Sequence, residues 1–256
     1  MFNVSRSFAP EYDKLDMSFV ERGIPVIRTL SKYFRPSFHG IEHIPRRGPA
    51  LLVGNHGLAA FDGFVLFTEV YHRTGRLVRG LGEHFLFVPS WSRTFWTRLG
   101  AIDGTPENAV RFLKAGNLVN TYPGGARDAL KGREGRYKLH WDKSKGYVRV
   151  AMQAQVPVIV HVGIGTDDTY RILGRVRFPA RLIGNEKYEV PLLMGWGVLP
   201  RPVKFIYYIS EPITLDGDPD DVDDEELVDR NHRRVWELGQ RMLDEGVERR
   251  RSIWFG

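Results

Sequence analysis

The residues of this sequence best suited to catalysis are His56 and Asp62, which have five residues between them. His56 follows the apolar run 50–53 through Gly54 and Asn55, so a short buried strand would deliver it to the start of the next segment. An imidazole beside a carboxylate is the arrangement of a general base that is oriented by an acid. The sequence has no cysteine and no Gly-x-Ser-x-Gly motif that would supply another nucleophile.

A second strand end carries a glycine-rich loop, Pro-Gly-Gly-Ala-Arg at residues 123–127. Tandem glycines allow backbone N–H groups to approach an anion closely, and the guanidinium of Arg127 adds a planar set of donors. In open α/β sheets, functional groups gather where strands end and helices begin. The two strand ends therefore predict a site with a base, His56, and an anion-binding loop formed by Gly124, Gly125 and Arg127.

The order of apolar runs and helical periodicities predicts the fold. Strands and helices alternate, which is typical of an α/β domain whose central sheet is mostly parallel and flanked by helices. The predicted strands are residues 38–44, 50–53, 77–81, 118–122, 156–162 and 203–209. The predicted helices are residues 10–34, a segment from 62 onward, 106–115, 145–155 and 216–249. Gly23 and Pro25 are expected to kink or split the first helix.

No linker or internal repeat divides the chain, so we predict a single domain over residues 1–256. It would comprise an N-terminal helical segment at 1–37, a catalytic α/β core at 38–215 and a C-terminal helix at 216–256.

Composition narrows the class of protein. The chain of 256 residues is 42% hydrophobic and 27% charged, values that are typical of a globular protein. The absence of cysteine excludes disulfides, thiolate zinc sites and thiol catalysis, and it fits a reducing interior. No signal peptide is visible, and no window approaches the ~18 apolar residues of a membrane-spanning helix.

The formal net charge of +6 fits a protein that binds nucleic acid, one that binds an anionic lipid surface, or one with no particular anionic partner. Aromatic residues make up 12% of the chain, and several stand beside arginines, as Trp91 and Phe95 do on either side of Arg93. Such clusters suit the headgroup boundary of a membrane, so the aromatic content favours lipid over nucleic acid. A solvated face over the core is the alternative interpretation.

The motifs resemble those of the glycerolipid acyltransferase superfamily, the lysophosphatidate acyltransferase-like enzymes, over about residues 40–215. The resemblance rests on Asn55-His56 with Asp62, on the Pro-x-Gly-x-Arg pattern in 123–127 and on the Val-Pro strand at 156–159. Family members commonly have four residues between the histidine and the aspartate, and phosphatidate-forming members usually carry glutamate at the position of Gly124. The longer gap and Gly124 are similar to the diacylglycerol acyltransferase-like branch, which acts on neutral lipids.

The resemblance implies an O-acyltransferase that moves a fatty acyl group from a thioester to a hydroxyl of a lipid acceptor. His56 would be the general base and Asp62 would orient it. Backbone N–H groups at Gly124 and Gly125 would stabilise the oxyanion, and Arg127 would bind a phosphate of the acceptor or the donor. The resemblance implies no metal and no cofactor, with acyl-CoA or an acyl carrier protein thioester as co-substrate. The protein would sit peripherally on the cytoplasmic side of a membrane and would not bind nucleic acid.

Several interpretations stay open at this point. The acceptor is either a neutral glycerolipid or long-chain alcohol, or a lysophosphatidate that becomes phosphatidate. Water as acceptor would make the protein a hydrolase, and loss of activity would leave a non-catalytic membrane lipid-binding protein. The basic segment 131–138 either attracts the phosphates of coenzyme A, a carrier protein or anionic lipid, or forms an exposed loop. Asp128 either pairs with Arg127 or caps the helix that follows.

Overall fold

A seven-stranded sheet forms the centre of the protein in a computed structural model, which describes residues 13–57, 61–176, 190–195 and 199–256. Its strands lie in the order β1-β9-β6-β2-β5-β3-β4. They are β1 Ser37–His39, β2 Ala50–Gly54, β3 Val78–Gly82, β4 Ile102–Asp103, β5 Leu118–Thr121, β6 Val158–Ile164 and β9 Ile206–Ile209. All neighbours are parallel except β6 and β9, which confirms the prediction of a mostly parallel sheet. Two further strands, β7 Arg171–Val176 and β8 Val190–Met194, pair with each other.

Helices cover both faces of the sheet. They are α1 Met17–Ser31, α2 Phe61–Thr74, α3 Ser90–Arg98, α4 Pro106–Lys114, α5 Ala126–Ala129, α6 Gly146–Ala154 and α7 Glu225–Arg249. The central strand β2 is buried along its whole length, and its side chains alternate between the two faces. Leu51 and Val53 join a core with α4, α6 and α7, whereas Ala50 and Leu52 join a core with α2. The fold is therefore the predicted α/β architecture, with an N-terminal helix.

Local sequence signals set the ends of several helices. Thr105 caps α4 by accepting a hydrogen bond from the backbone N–H of Asn108 at 3.2 Å, and Pro106 occupies the first turn. Asp224 caps α7 in the same way through the N–H of Leu227. None of the helices in the described ranges is both long and apolar enough to cross a membrane.

Some predicted boundaries were wrong. The predicted strand 38–44 is only the short β1, because Gly40 adopts φ +77 and turns the chain into a 3-10 helix at Ile41–His43. The predicted split of the first helix at Gly23 and Pro25 is absent, since α1 continues through both residues. Residues 10–12 of the predicted first helix lie outside the described residues.

Candidate active site

The structure brings the two predicted strand ends together at one edge of the sheet. Strands β2 and β5 are parallel neighbours with Val53 opposite Thr121, so the residues that follow them emerge side by side. The His56 ring stacks on the Tyr122 ring with centroids 4.1 Å apart and planes 14° apart. His56 and the glycine-rich loop therefore belong to one site.

Asn55 fixes the chain just before the histidine. Its Nδ2 donates to the carbonyl oxygen of Gly163 at 3.0 Å, and its Oδ1 accepts from the N–H of Gly163 at 2.7 Å. An amide side chain can make this paired contact because it has both a donor and an acceptor. Asn55 thus ties the end of β2 to β6 and sets where His56 begins.

His56 and Asp62 form the predicted pair. Nδ1 of His56 lies 3.1 Å from Oδ2 of Asp62, and the aspartate stands in the first turn of α2, where the helix dipole stabilises a carboxylate. The Asp62 side chain is 4% exposed and that of His56 is 19% exposed. Because Nδ1 is engaged, Nε2 is the nitrogen that can accept a proton, and no residue in the described ranges holds it by a hydrogen bond.

The surroundings of His56 raise the pKa of its imidazole above the ordinary value. Burial acts in the opposite direction and favours the neutral ring, but the charge of Asp62 and its hydrogen bond outweigh that effect. The charge of Asp128 raises the pKa further, and that of Lys131 lowers it. A base with a raised pKa near the operating pH accepts a proton more readily.

Tyr122 is a site residue that sequence reasoning missed. Its ring covers one face of His56, and its hydroxyl is buried beside the first turn of α2, where a Cβ on Gly63 would lie 2.8 Å from it. Burial and the charge of Asp62 raise the pKa of Tyr122 well above its usual range, so the phenol stays neutral. Only its place directly before the glycine-rich loop pointed to it.

His161 is buried beside Tyr122 and Gly54, and its imidazole is neutral. Its Nε2 is 2.7 Å from Oδ1 of Asn120, and burial lowers its pKa to about 4. Its ring packs against the Cα of Gly54, so a side chain at position 54 would overlap the imidazole. The glycine that ends β2 is therefore needed for close packing under the site.

The two glycines of the glycine-rich loop differ in how their backbone N–H groups are used. Gly125 adopts φ +50, and its N–H donates to the carbonyl oxygen of Tyr122 at 2.9 Å. In this conformation the turn uses the N–H of Gly125. The N–H of Gly124 has no acceptor among the described residues and stays available.

Arg127 lies in the short helix α5, directly after its first residue, and is partly exposed. It donates to Oγ of Ser144 at 2.9 Å and to Oδ1 of Asp142 at 3.4 Å. A guanidinium has five N–H donors, so these contacts leave others for an anion. No group of three or more carboxylates and histidines in the described part of the chain is arranged to hold a metal ion.

Asp128 plays neither of the two roles expected from sequence. It lies inside α5, is 1% exposed, and accepts hydrogen bonds from the N–H of His140 at 3.0 Å and the indole of Trp141 at 2.9 Å. Its carboxyl group packs directly against Gly124, where any Cβ would overlap it. Gly124 and Asp128 therefore depend on each other, and the chain has no room for a glutamate at position 124 while Asp128 keeps this place.

The contact between Gly124 and Asp128 predicts a specific loss of stability. Gly124→Ala should lower the free energy of unfolding by about 1–3 kcal/mol, because the new methyl group displaces a buried, hydrogen-bonded carboxylate. The matched control is Gly132→Ala, at a glycine with φ −75 and open space around its Cα. Urea unfolding of both variants measures the difference. Equal stability of the two would show that the packing at Gly124 does not constrain the loop.

The fold and the site define an α/β domain with a histidine–aspartate pair and a glycine-rich loop at one sheet edge. A model of the family described as Acyltransferase matches residues 35–162, which contain all of these groups. The chain therefore belongs to the acyltransferase family, and the resemblance found in its motifs is confirmed.

Curated relatives agree with the family. One from Bos taurus, named "DGAT1/2-independent enzyme synthesizing storage lipids", is 34% identical over 179 residues, which are 70% of this chain and 52% of the relative. An uncharacterized protein of Mycobacterium tuberculosis is 32% identical over 241 residues, 91% of this chain and 67% of the relative. The chain thus spans about half the length of the bovine protein.

A solved structure agrees with the fold. The 1-acyl-sn-glycerophosphate (LPA) acyltransferase PlsC of Thermotoga maritima has a TM-score of 0.53 at 18% sequence identity, and the match covers 90% of this chain and 84% of that one. At this level of identity, the match supports the architecture of the domain rather than its substrate.

Proposed function

We propose that this protein transfers a fatty acyl group from an acyl thioester to a hydroxyl of a lipid acceptor, with His56 as the general base. The observation that carries the proposal is the His56 to Asp62 contact of 3.1 Å beside the glycine-rich loop, in a member of the acyltransferase family. Asp62 fixes the tautomer, so Nε2 faces the incoming alcohol as an acceptor.

The chemistry follows from these groups. Nε2 of His56 takes the proton of the acceptor hydroxyl while the hydroxyl oxygen attacks the thioester carbonyl carbon. The tetrahedral intermediate places negative charge on the former carbonyl oxygen, and the N–H of Gly124 is a donor for it. The intermediate collapses when the carbon–sulfur bond breaks, and the imidazolium returns its proton to the departing thiolate. The charge of Asp62 stabilises the imidazolium between these two steps.

A neutral lipid is the acceptor that we propose. Gly124 and the five-residue gap between His56 and Asp62 are similar to the neutral-lipid branch, and the bovine relative's name refers to storage lipids. Phosphatidate formation from a lysophosphatidate is the second candidate, favoured by Arg127, whose remaining donors suit a phosphate.

An acceptor panel tests the proposed function. The purified full chain is incubated with one acyl-CoA and, separately, with monoacylglycerol, diacylglycerol, a long-chain alcohol and lysophosphatidate. We expect ester formation with at least one neutral acceptor. Ester formation with lysophosphatidate alone would contradict the neutral-lipid proposal, free fatty acid in every tube would indicate a hydrolase, and no consumption of acyl-CoA would indicate a non-catalytic lipid-binding protein.

We also propose that the protein binds the cytoplasmic side of a membrane peripherally. Large apolar side chains are exposed on and just before α3, including Val88, Trp91 and Phe95, and Leu30 is exposed on α1, which packs beside α3. Exposed aromatic groups near arginines favour the boundary between headgroups and acyl chains.

Trp91→Glu should weaken binding to anionic vesicles severalfold, because Trp91 is 76% exposed and a carboxylate there opposes insertion and is repelled by anionic headgroups. The control is Arg241→Gln on α7, on the opposite face of the sheet, which changes the net charge by the same amount. Co-sedimentation with vesicles at low salt measures both. If both variants lose the same amount of vesicle binding, the binding depends on net charge alone, which would contradict this placement of the membrane.

A further inference from the structure

A cleft of about 520 Å³ lies between the segment after α5 and the start of β7. Four cationic side chains line it, namely Lys131, Arg133, Arg136 and Arg171, and Asp167 is the carboxylate among its lining residues. The cleft takes in part of the basic segment 131–138, whose role the proposed mechanism leaves open.

The cations in this region outnumber the carboxylates that hold them. Lys131 pairs with Asp167 at 3.1 Å, and both side chains are about 5% exposed or less. Arg136 and Arg250 both pair with Asp168, at 3.0 and 2.6 Å.

Two arginines that line the cleft, and a third nearby, have no ion-pair partner among the described residues. Across the described ranges no ion pair involves Arg133 or Arg171, although both line the cleft. Arg201 is buried nearby, and its Nε has no hydrogen-bond partner in the described part of the chain. Burial lowers the pKa of Arg201, Asp168 raises it, and the charges of Arg171 and Arg136 lower it further. The walls therefore carry positive charge that the described side chains do not neutralise.

The cleft lies next to the catalytic histidine. Thr166 lines the cleft and is in contact with Gly57, since a Cβ on Gly57 would lie 2.8 Å from Cβ of Thr166. Lys131 is close enough to His56 for its charge to act on the imidazole. A ligand in the cleft would therefore reach the base within its own length.

We propose that this cleft binds the phosphates of coenzyme A and so holds the acyl donor, an inference that rests on the proposed function. A volume of about 520 Å³ is that of a pocket for one organic molecule of nucleotide size. Arginines bind phosphates through paired hydrogen bonds, and several phosphates on one ligand match several unpaired cations. The acidic surface of a carrier protein would instead need an extended exposed basic face.

Calorimetric binding of free coenzyme A to the full chain tests the inference without turnover. The test variant is Arg133→Gln with Arg171→Gln. The control variant is Arg73→Gln with Arg230→Gln, two exposed arginines that each pair with a glutamate one helical turn earlier and do not line the cleft. We expect the affinity of the test variant for coenzyme A to fall about tenfold or more, and that of the control variant to stay near wild type.

Two further measurements show whether the phosphates bound in the cleft are those of coenzyme A or those of the lipid acceptor. Wild-type protein should bind dephospho-coenzyme A more weakly than coenzyme A, and the test variant should distinguish the two less. The KM for the lipid acceptor should be unchanged in the test variant. Failure of the wild-type chain to bind coenzyme A, equal affinities of the test and control variants, or a rise confined to the acceptor KM would each overturn the inference.

These outcomes separate the inference from the proposed function. Coenzyme A binding that depends on Arg133 and Arg171, in a protein that forms no ester, would contradict the function and support the site. If the protein forms ester but its affinity for coenzyme A is unchanged when these arginines are substituted, the result would contradict the site and not the proposed function.

Discussion

His56→Ala is expected to lower the rate of acyl transfer by about 10²–10⁴-fold, because the acceptor hydroxyl loses the group that takes its proton. The imidazole is held by Asp62 on one side and by the Tyr122 ring on its face. Neither contact is part of the hydrophobic core, so the far-UV circular dichroism and the melting temperature should stay close to those of the wild type. The measurement is ester formation from acyl-CoA with saturating acceptor.

The chain contains a matched control for this experiment in a second histidine–aspartate pair. Nδ1 of His84 lies 2.8 Å from Oδ2 of Asp103, and the His84 side chain is 72% exposed. His84 has the same local chemistry without the enclosure that fixes His56, so His84→Ala should keep near wild-type turnover. If the His56 variant keeps full activity and the His84 variant loses it, the general base is not His56.

Asp62→Asn should lower kcat by a comparable factor, about 10²–10⁴-fold, while leaving the site nearly isosteric. The asparagine no longer stabilises the imidazolium, and it no longer selects the tautomer that leaves Nε2 unprotonated. The side chain of Asp62 lies beside the buried hydroxyl of Tyr122. An asparagine amide there can accept from Nδ1 of His56 through its oxygen and still bond to its neighbours, because it has both a donor and an acceptor. Stability should therefore change little.

The pH profile gives a second measurement on the same variant. In the wild type, kcat/KM should fall as pH drops through the raised pKa of His56, since the protonated ring cannot act as a base. Removing the charge of Asp62 leaves burial as the dominant influence, so the pKa falls and this acidic limb moves to lower pH. The control, Asp103→Asn at the pair that Asp103 forms with His84, should leave the limb in place. An unshifted limb in the Asp62 variant would show that another group titrates.

The strand ends that carry the chemistry were predictable because their signals are local. A short buried run that ends at a glycine or proline predicts β2 and β5 from a few neighbouring residues, and parallel strands bring such ends to one edge. His56, Asp62 and the glycine-rich loop could be placed this way. Their predicted roles in catalysis and substrate binding stay predictions that the variants above test.

Contacts between distant segments were not predictable from the sequence. The tie from Asn55 to Gly163, the packing of Asp128 against Trp141 and the stacking of Tyr122 on His56 depend on how the sheet assembles. From the sequence, Asp128 was expected to pair with Arg127 or to cap a helix, because no neighbouring residue indicates that its carboxylate will be buried against Trp141. Strand β4 has two residues, too few for any pattern to mark it.

The most direct test of the account is the amount of ester that the wild-type chain forms for each molecule of coenzyme A it releases. The chain is mixed with radiolabelled acyl-CoA in the presence and absence of a neutral lipid acceptor, and the His56→Ala variant is run beside it. We predict that release of coenzyme A requires the acceptor, matches the ester formed, and is lost in the variant. Release that proceeds equally without acceptor, or that persists unchanged without His56, would contradict the assignment of this histidine as the base of an acyl transfer site.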